Sequence, residues 1–205
     1  MLIKSVGDTA FSVELEGNAQ VMALRGAIRA DDNILGIVAC VPALRALLIR
    51  FDPALITRGE LEARVRNLTA TLSEAHAGEG RLWRIPVRYD GPDLDHVARA
   101  CGLSVAEVVA LHGAARYRVL MLGFMPGFAY MGGLPDALRL PRRAEPRLKV
   151  PAGAVAIADD MTAIYPWESP GGWHLLGQSG VTLFDQTRDP PALLAPGDRV
   201  EFVAQ

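Results

Sequence analysis

The chain has 205 residues, of which 50% are hydrophobic and 21% charged, enough apolar material to build a core in one large domain or two small ones. With Lys+Arg 21 against Asp+Glu 23 the formal net charge is −2, which gives no global attraction to nucleic acid or to an anionic membrane. Two cysteines, Cys40 and Cys101, are too few for a disulfide scaffold or a structural zinc site, so a reduced cytoplasmic protein is expected. The longest apolar run, Ile34 to Leu44, contains Pro42 and is too short to cross ~30 Å of hydrocarbon as a helix.

Elements follow from periodicity. From Thr9 to Glu16, Phe11, Val13 and Leu15 alternate with Ser12, Glu14 and Glu16, the period of a half-buried strand. Asn18 is placed to cap a helix with apolar positions Val21, Leu24 and Ile28, ended by Asp31-Asp-Asn33. Two β-rich runs, Ile34 to Val41 and Arg45 to Phe51, meet at Pro42. Thr57-Arg-Gly-Glu60 is a capping box before a helix that lines up Leu61, Val65, Leu68 and Leu72. The order β-α-β-β-α, with Leu82 to Tyr89 as a closing strand, suggests a ferredoxin-like unit. Ser73 to Gly80 lacks periodicity and reads as a linker, so the expected domains are 1–80 and 81–205.

Beyond it, two short helices, about Asp93 to Cys101 and Ser104 to Gly113, precede a tract rich in Gly, Pro and short apolar runs. Strands are expected at Arg118 to Phe124, Val150 to Ala158, Ala163 to Pro166, Trp173 to Leu176, Val181 to Phe184 and Arg199 to Val203. Many short strands with Gly/Pro punctuation fit an antiparallel barrel or sandwich. The fold class expected is α+β. Val97 to Leu111 has helix-turn-helix spacing, but its second helix offers Glu107 and no base-reading side chain until Arg116, so helix-hairpin packing is the better reading. The histidines His76, His96, His112 and His174 form no metal-binding pair at helical spacing, and no metal is expected. Neither G-x-x-x-x-G-K-[ST] nor G-x-S-x-G occurs.

Three stretches exceed what a plain β-domain needs. Leu122-Gly-Phe-Met-Pro-Gly-Phe-Ala-Tyr-Met-Gly-Gly-Leu134 sets Phe124, Phe128 and Tyr130 among glycines, Gly127 included, that permit close approach by a ligand; a structural loop whose aromatics fill the core explains the same composition equally well. Leu140 to Pro151 crowds Arg142, Arg143, Arg147 and Lys149 on one segment; such a charge run is usually solvated surface, while its stiffening prolines suit a guanidinium to a carboxylate or phosphate. Ile164 to Gly177 gathers Tyr165, Glu168, Ser169, Trp173 and His174 around Gly171-Gly172.

With Pro141-Arg-Arg-Ala-Glu-Pro-Arg147, Val150-Pro-Ala-Gly153, Ile164-Tyr-Pro166, Ser169-Pro-Gly-Gly-Trp173 and Pro191 to Phe202, the chain resembles the KipI family, also called the allophanate hydrolase subunit 1 family, over nearly its whole length. The resemblance implies a small ferredoxin-like α/β domain followed by a cyclophilin-like β-barrel. It also implies a non-autonomous subunit of an ATP-dependent amidohydrolase of the 5-oxoprolinase kind, acting on a small cyclic amide. Its partners would be a second related subunit (allophanate hydrolase subunit 2, PxpC-like) and a third, PxpA-like one. The alternative within the family is a regulatory protein that inhibits a histidine kinase. In the first reading Tyr165 and His174 are catalytic hydrogen-bonding candidates. Arg142 and Arg147 bind carboxylate or phosphate, and Phe124, Gly127, Phe128, Tyr130, Gly171, Gly172 and Trp173 line the substrate or nucleotide site. ATP is the implied cofactor, although the chain has no self-contained ATP motif. Where the family has Gly-Gly-Gln-Thr-Gly this chain has Asp159-Asp-Met-Thr-Ala163, and Gln178 stands where the family has Arg. These departures at Asp159, Asp160, Met161, Ala163 and Gln178 bear on substrate and activity.

Overall fold

The computed structural model describes residues 1–73, 78 and 80–205. The linker read at 73–80 and His76 therefore fall largely or wholly outside the described residues. The chain divides into two compact units, Met1–Glu79 and Gly80–Gln205.

In the first unit, β1 (Leu2–Ser5), β2 (Ala10–Glu14), β3 (Ile37–Pro42) and β4 (Ala46–Phe51) form an antiparallel sheet of order β1-β2-β4-β3. Phe11 and Val13 of β2 and Leu47, Ile49 and Phe51 of β4 point to one face. They pack there with Val21, Leu24 and Ile28 of α1 (Asn18–Ala30) and Leu61 and Val65 of α2 (Arg58–Ala70). Helix α2 starts at the capping box: Thr57 accepts from Glu60 N–H while the Glu60 carboxylate accepts from Thr57 N–H. Helix α1 departs from expectation. Its N-cap is Gly17, and Asn18 lies inside the helix, where its Nδ2 donates to Ala43 O at 3.1 Å and ties the helix start to the β3–β4 turn.

A second departure concerns the closing strand. β5 (Leu82–Val87) does not join this sheet; β1 takes the place beside β2. β5 lies parallel to β13 (Arg199–Ala204) along its whole length, with Ile85 and Val87 buried in the core of the second unit. Its alternating apolar residues match that core, and a strand joins the sheet where its apolar face is buried.

The second unit continues with α3 (Leu94–Cys101), α4 (Val105–Ala114), β6 (Arg116–Leu122), β7 (Ala129–Gly132), a 3-10 turn at Asp136–Leu138, β8 (Arg147–Val150), β9 (Ala154–Ala158), β10 (Met161–Ile164), β11 (Ser169–Gly171) and β12 (His174–Gln178). Seven strands follow the order β12-β9-β10-β7-β6-β13-β5, antiparallel except for β13–β5. Arg88 and Gln178 exchange backbone hydrogen bonds of 2.9 and 2.8 Å between the two ends of the sheet, which nearly closes it into a barrel. The architecture is thus mixed α+β, an α/β region followed by a nearly closed, mainly antiparallel barrel. β8 and β11 make a separate two-stranded ribbon. Val181 to Phe184, expected as a strand, contributes one bridge, Phe184 to Ala192. Helices α3 and α4 meet at 92° around Gly102, whose φ of 69° suits glycine at a helix C-cap. Ser104 caps α4 through a second capping box with Glu107. Among the described residues no single helix is long and apolar enough to cross a membrane.

Both faces of the β9–β10 hairpin are buried, which explains its unbroken apolar sequence. Val155, Ile157 and Ile164 face one core, whereas Ala154, Ala156, Ala158, Met161 and Ala163 face another. Thr162 shares the first face with His112 of α4. Thr162 Oγ1 donates to Ala156 O at 3.0 Å, so its contact of 3.0 Å with His112 Nε2 requires a proton on Nε2. His112 Nδ1 is then an acceptor for the Tyr89 hydroxyl at 2.7 Å. Tyr117 donates to the His112 carbonyl at 3.0 Å. Burial drives the His112 pKa down to about 3, so the ring is neutral.

Candidate functional site

The alanine face of β9–β10 leaves room for large rings. Phe128 is surrounded edge-to-face by Tyr130 (centroids 4.9 Å apart), Tyr165 (5.2 Å) and Trp173 (6.0 Å). Such pairs contribute about 0.5–1.5 kcal/mol each beyond their buried area. The aromatic residues singled out in the sequence are therefore brought together. Phe124 touches the cluster through Phe128, centroids 5.4 Å apart, yet is 60% exposed and holds a left-handed φ of 66°. A bulky side chain is rarely found there without a reason.

The glycines read as ligand approaches serve the protein's own packing. A Cβ on Gly171 would run into the Tyr165 hydroxyl, and one on Gly127 would lie 2.7 Å from Phe184 Cβ. Gly172 accepts from Arg143 N–H at 2.8 Å. Tyr165 is buried and receives a backbone hydrogen bond from Trp173. Burial raises its pKa, opposed by the guanidiniums of Arg142 and Arg147, so it stays a phenol.

Beside this cluster the basic segment folds around an acid that the sequence does not mark as special. Asp93, 3% exposed, immediately precedes α3. Its Oδ1 accepts from Arg143 Nη1 at 2.9 Å and Arg147 Nη2 at 2.7 Å, and its Oδ2 accepts from Leu175 N–H at 2.7 Å. Burial alone would push this carboxyl up. The bonds from Arg147 and Leu175 and the charges of both arginines outweigh it and hold Asp93 below the usual carboxylate range. Arg147, expected to meet a substrate anion, is thus engaged by the protein, as is Arg143. Each keeps a buried N–H without a partner among the described residues, Arg143 Nε and Arg147 Nη1.

Arg142 is more available. Its Nε lies 3.7 Å from Asp159 Oδ2, both side chains being more than half exposed, and its guanidinium lies 6.0 Å from the Trp173 ring centroid. Such a surface pair contributes about 0–1 kcal/mol. Asp159, one of the departures from the family pattern, has φ 53° at the β9–β10 turn, a position suited to glycine that aspartate tolerates. The turn therefore survives, with an acid set against Arg142. Met161 is buried in the aromatic core, and Gln178 is exposed with its Nε2 donating to Ala152 O at 3.1 Å.

His174 is nearly buried. Its Nε2 lies 2.9 Å from Pro141 O, and its ring stacks on His96 with centroids 5.3 Å apart. Sequence reasoning missed Asp93 and the weight of Arg143. Asp93 reads as a helix start after Gly91-Pro92, and its partners lie 50 and 54 positions further on.

Among the described residues no group of three or more His, Cys, Asp or Glu is placed to hold a metal ion. The described residues also do not fit a complete ATP site. Phosphates need free backbone N–H groups at an open glycine turn and an available cation. Here Gly127 and Gly171 are filled by Phe184 and Tyr165, and two arginines are engaged by Asp93.

A family model, carboxyltransferase domain, subdomain C and D, matches residues 1–194. The chain is 42% identical over 207 residues to the B-type subunit of 5-oxoprolinase from Escherichia coli O157:H7, covering 98% of this chain and 94% of that one. It is 35% identical to the corresponding 5-oxoprolinase subunit from Bacillus subtilis, covering 98% and 91%. Among solved structures, TTHA0988 aligns with a TM-score of 0.80 at 41% identity, covering 100% of this chain, which spans only 40% of that longer one. The uncharacterized protein PH0987 of Pyrococcus horikoshii aligns with a TM-score of 0.60 at 39% identity, covering 100% and 97%.

Proposed function

The chain belongs to the carboxyltransferase-domain (subdomain C and D) family, in its KipI/allophanate hydrolase subunit 1 group, and we propose that it is the B-type subunit of an ATP-dependent 5-oxoprolinase. The observation that carries this reading is the end-to-end identity with two B-type subunits of 5-oxoprolinases. In the same reading the first domain, 1–80, is a ferredoxin-like variant and the second, 81–205, a cyclophilin-like barrel.

The site's chemistry agrees with a shared catalytic centre. This chain offers an apolar aromatic wall (Phe124, Phe128, Tyr130, Trp173), a phenol donor (Tyr165), an imidazole (His174) and one available guanidinium (Arg142). Arg147 acts through Asp93, positioning the basic segment against β12. ATP is held by the assembled complex, with a second related subunit supplying phosphate-binding groups that the described residues do not offer. Native affinity purification from the source cells tests this reading, with retained partners identified by mass spectrometry. A stoichiometric second subunit of the same family is the expected result; a histidine kinase recovered in its place would favour the inhibitory role instead.

A further inference from the structure

The imidazole of His174 carries a lone pair that nothing in the described protein meets. A carbonyl only accepts, so His174 Nε2, 2.9 Å from Pro141 O, must hold a proton. In the neutral ring Nδ1 is then a bare acceptor, and it is buried without a hydrogen-bond partner in a residue 4% exposed. An orphaned polar atom in so buried a side chain calls for an explanation. Nearby, Arg143 Nε–H is also buried without an acceptor, while Nη1 of the same guanidinium is fixed on Asp93. Both side chains line one shallow cleft of about 290 Å³, whose other walls are His96, Ala144 and Glu145. Glu145 is exposed and makes no ion pair among the described residues.

The cleft is thus lined by residues that hold an unpaired cationic donor, an imidazole nitrogen that is an acceptor in the neutral ring, and a carboxylate. A simple anion would suit Arg143 but face the Glu145 charge and the Nδ1 lone pair. A simple cation would suit Glu145 and Nδ1 but face Arg143. A small molecule carrying both charges on groups attached to one carbon satisfies all three groups. The volume lies at the small end of ligand pockets, about 300–1,000 Å³, which suits a molecule of a few heavy atoms.

We propose that this cleft binds the main-chain portion of a free α-amino acid, with its carboxylate on Arg143 Nε and its ammonium shared between His174 Nδ1 and Glu145. The His96 ring, stacked on His174 with 18° between planes, belongs to an exposed residue of α3, and this binding mode requires it to move off His174. The site requires only this chain; it shares His174 with the catalytic centre proposed above, and its test reads binding and not turnover.

The test uses the full chain, labelled with nitrogen-15, and the imidazole nitrogen resonances, those of His174 being identified by their loss in His174→Gln. The probes are L-alanine, N-acetyl-L-alanine, which lacks the ammonium, and L-alaninamide, which lacks the carboxylate. L-alanine is expected to shift the His174 ring nitrogens saturably. Each blocked analogue is expected to bind about tenfold or more weakly, the size of one lost hydrogen bond to a charged group. Glu145→Gln, at an exposed position, is expected to weaken L-alanine by a similar factor. The proposal is overturned if L-alanine leaves His174 unmoved, if N-acetyl-L-alanine binds as tightly, or if Glu145→Gln has no effect. Turnover is not read, so failure here leaves the proposed activity standing, and failure of that activity leaves this result intact.

Discussion

Two buried polar regions of the second unit differ in how completely they are satisfied. Around His112 both ring nitrogens are paired, with Thr162 and Tyr89, and the Thr162 hydroxyl donates its own hydrogen bond to Ala156 O. Around Asp93 both carboxylate oxygens are paired, yet Arg143 Nε, Arg147 Nη1, Ser169 Oγ and His174 Nδ1 in the surrounding segments have no partner among the described residues. A closed network has no capacity left for a ligand and fixes a core; an open one retains unspent donors and acceptors. The contrast leaves the His112 region as closed core and the Asp93 region as the one whose unpaired groups the proposals above draw on.

The largest effect expected comes from breaking the open region at its centre. Asp93→Ala leaves two guanidiniums without their carboxylate and the Leu175 N–H without its acceptor. Breaking a buried ion pair in this way costs about 3–5 kcal/mol. Urea unfolding should show a loss of that order, and a loss within about 1 kcal/mol would mean that Asp93 does not hold the basic segment to β12.

The His112 region should reveal itself through pH. With the folded pKa lowered to about 3 and the ordinary value near 6.5, the unfolded chain binds more protons between those values. Stability due to this residue is therefore fully present above about pH 6.5. It declines as pH falls through the window, by at most about 1.4 kcal/mol per pH unit. The Asp93 carboxyl, held low, adds its own loss only at still more acidic pH. Urea midpoints measured between pH 6.5 and 4.5 should show this slope, and His112→Gln should flatten it. An unchanged slope in the variant would remove His112 as its cause.

Local chemistry made much of the fold legible. The alternation through Phe11 and Val13 and the capping box at Thr57 need only near neighbours to act, and both elements stand where periodicity puts them. Strand partnership was less legible. Leu82 to Val87 reads as a strand from its own residues, but nothing local says that it pairs with Arg199–Ala204 rather than with the first sheet. The convergence of Phe128, Tyr165 and Trp173 could be anticipated because aromatics among glycines are conspicuous. Asp93 could not, since its role comes from burial and from arginines distant in the chain, and an aspartate before a helix has an ordinary explanation. The short strands β7, β8 and β11 were hidden by glycine, charge and proline, residues with low strand preference that tertiary pairing overrides.

Whether this chain is a required subunit of an ATP-dependent 5-oxoprolinase is decided by turnover. The purified chain, its second related subunit and the mixture with a third, PxpA-like subunit would each be assayed for 5-oxoproline-dependent ATP hydrolysis. No hydrolysis by this chain alone is expected, and clear hydrolysis by the full mixture, lost when this chain is omitted. Full activity in its absence, or no activity in a mixture shown to assemble, would contradict that role.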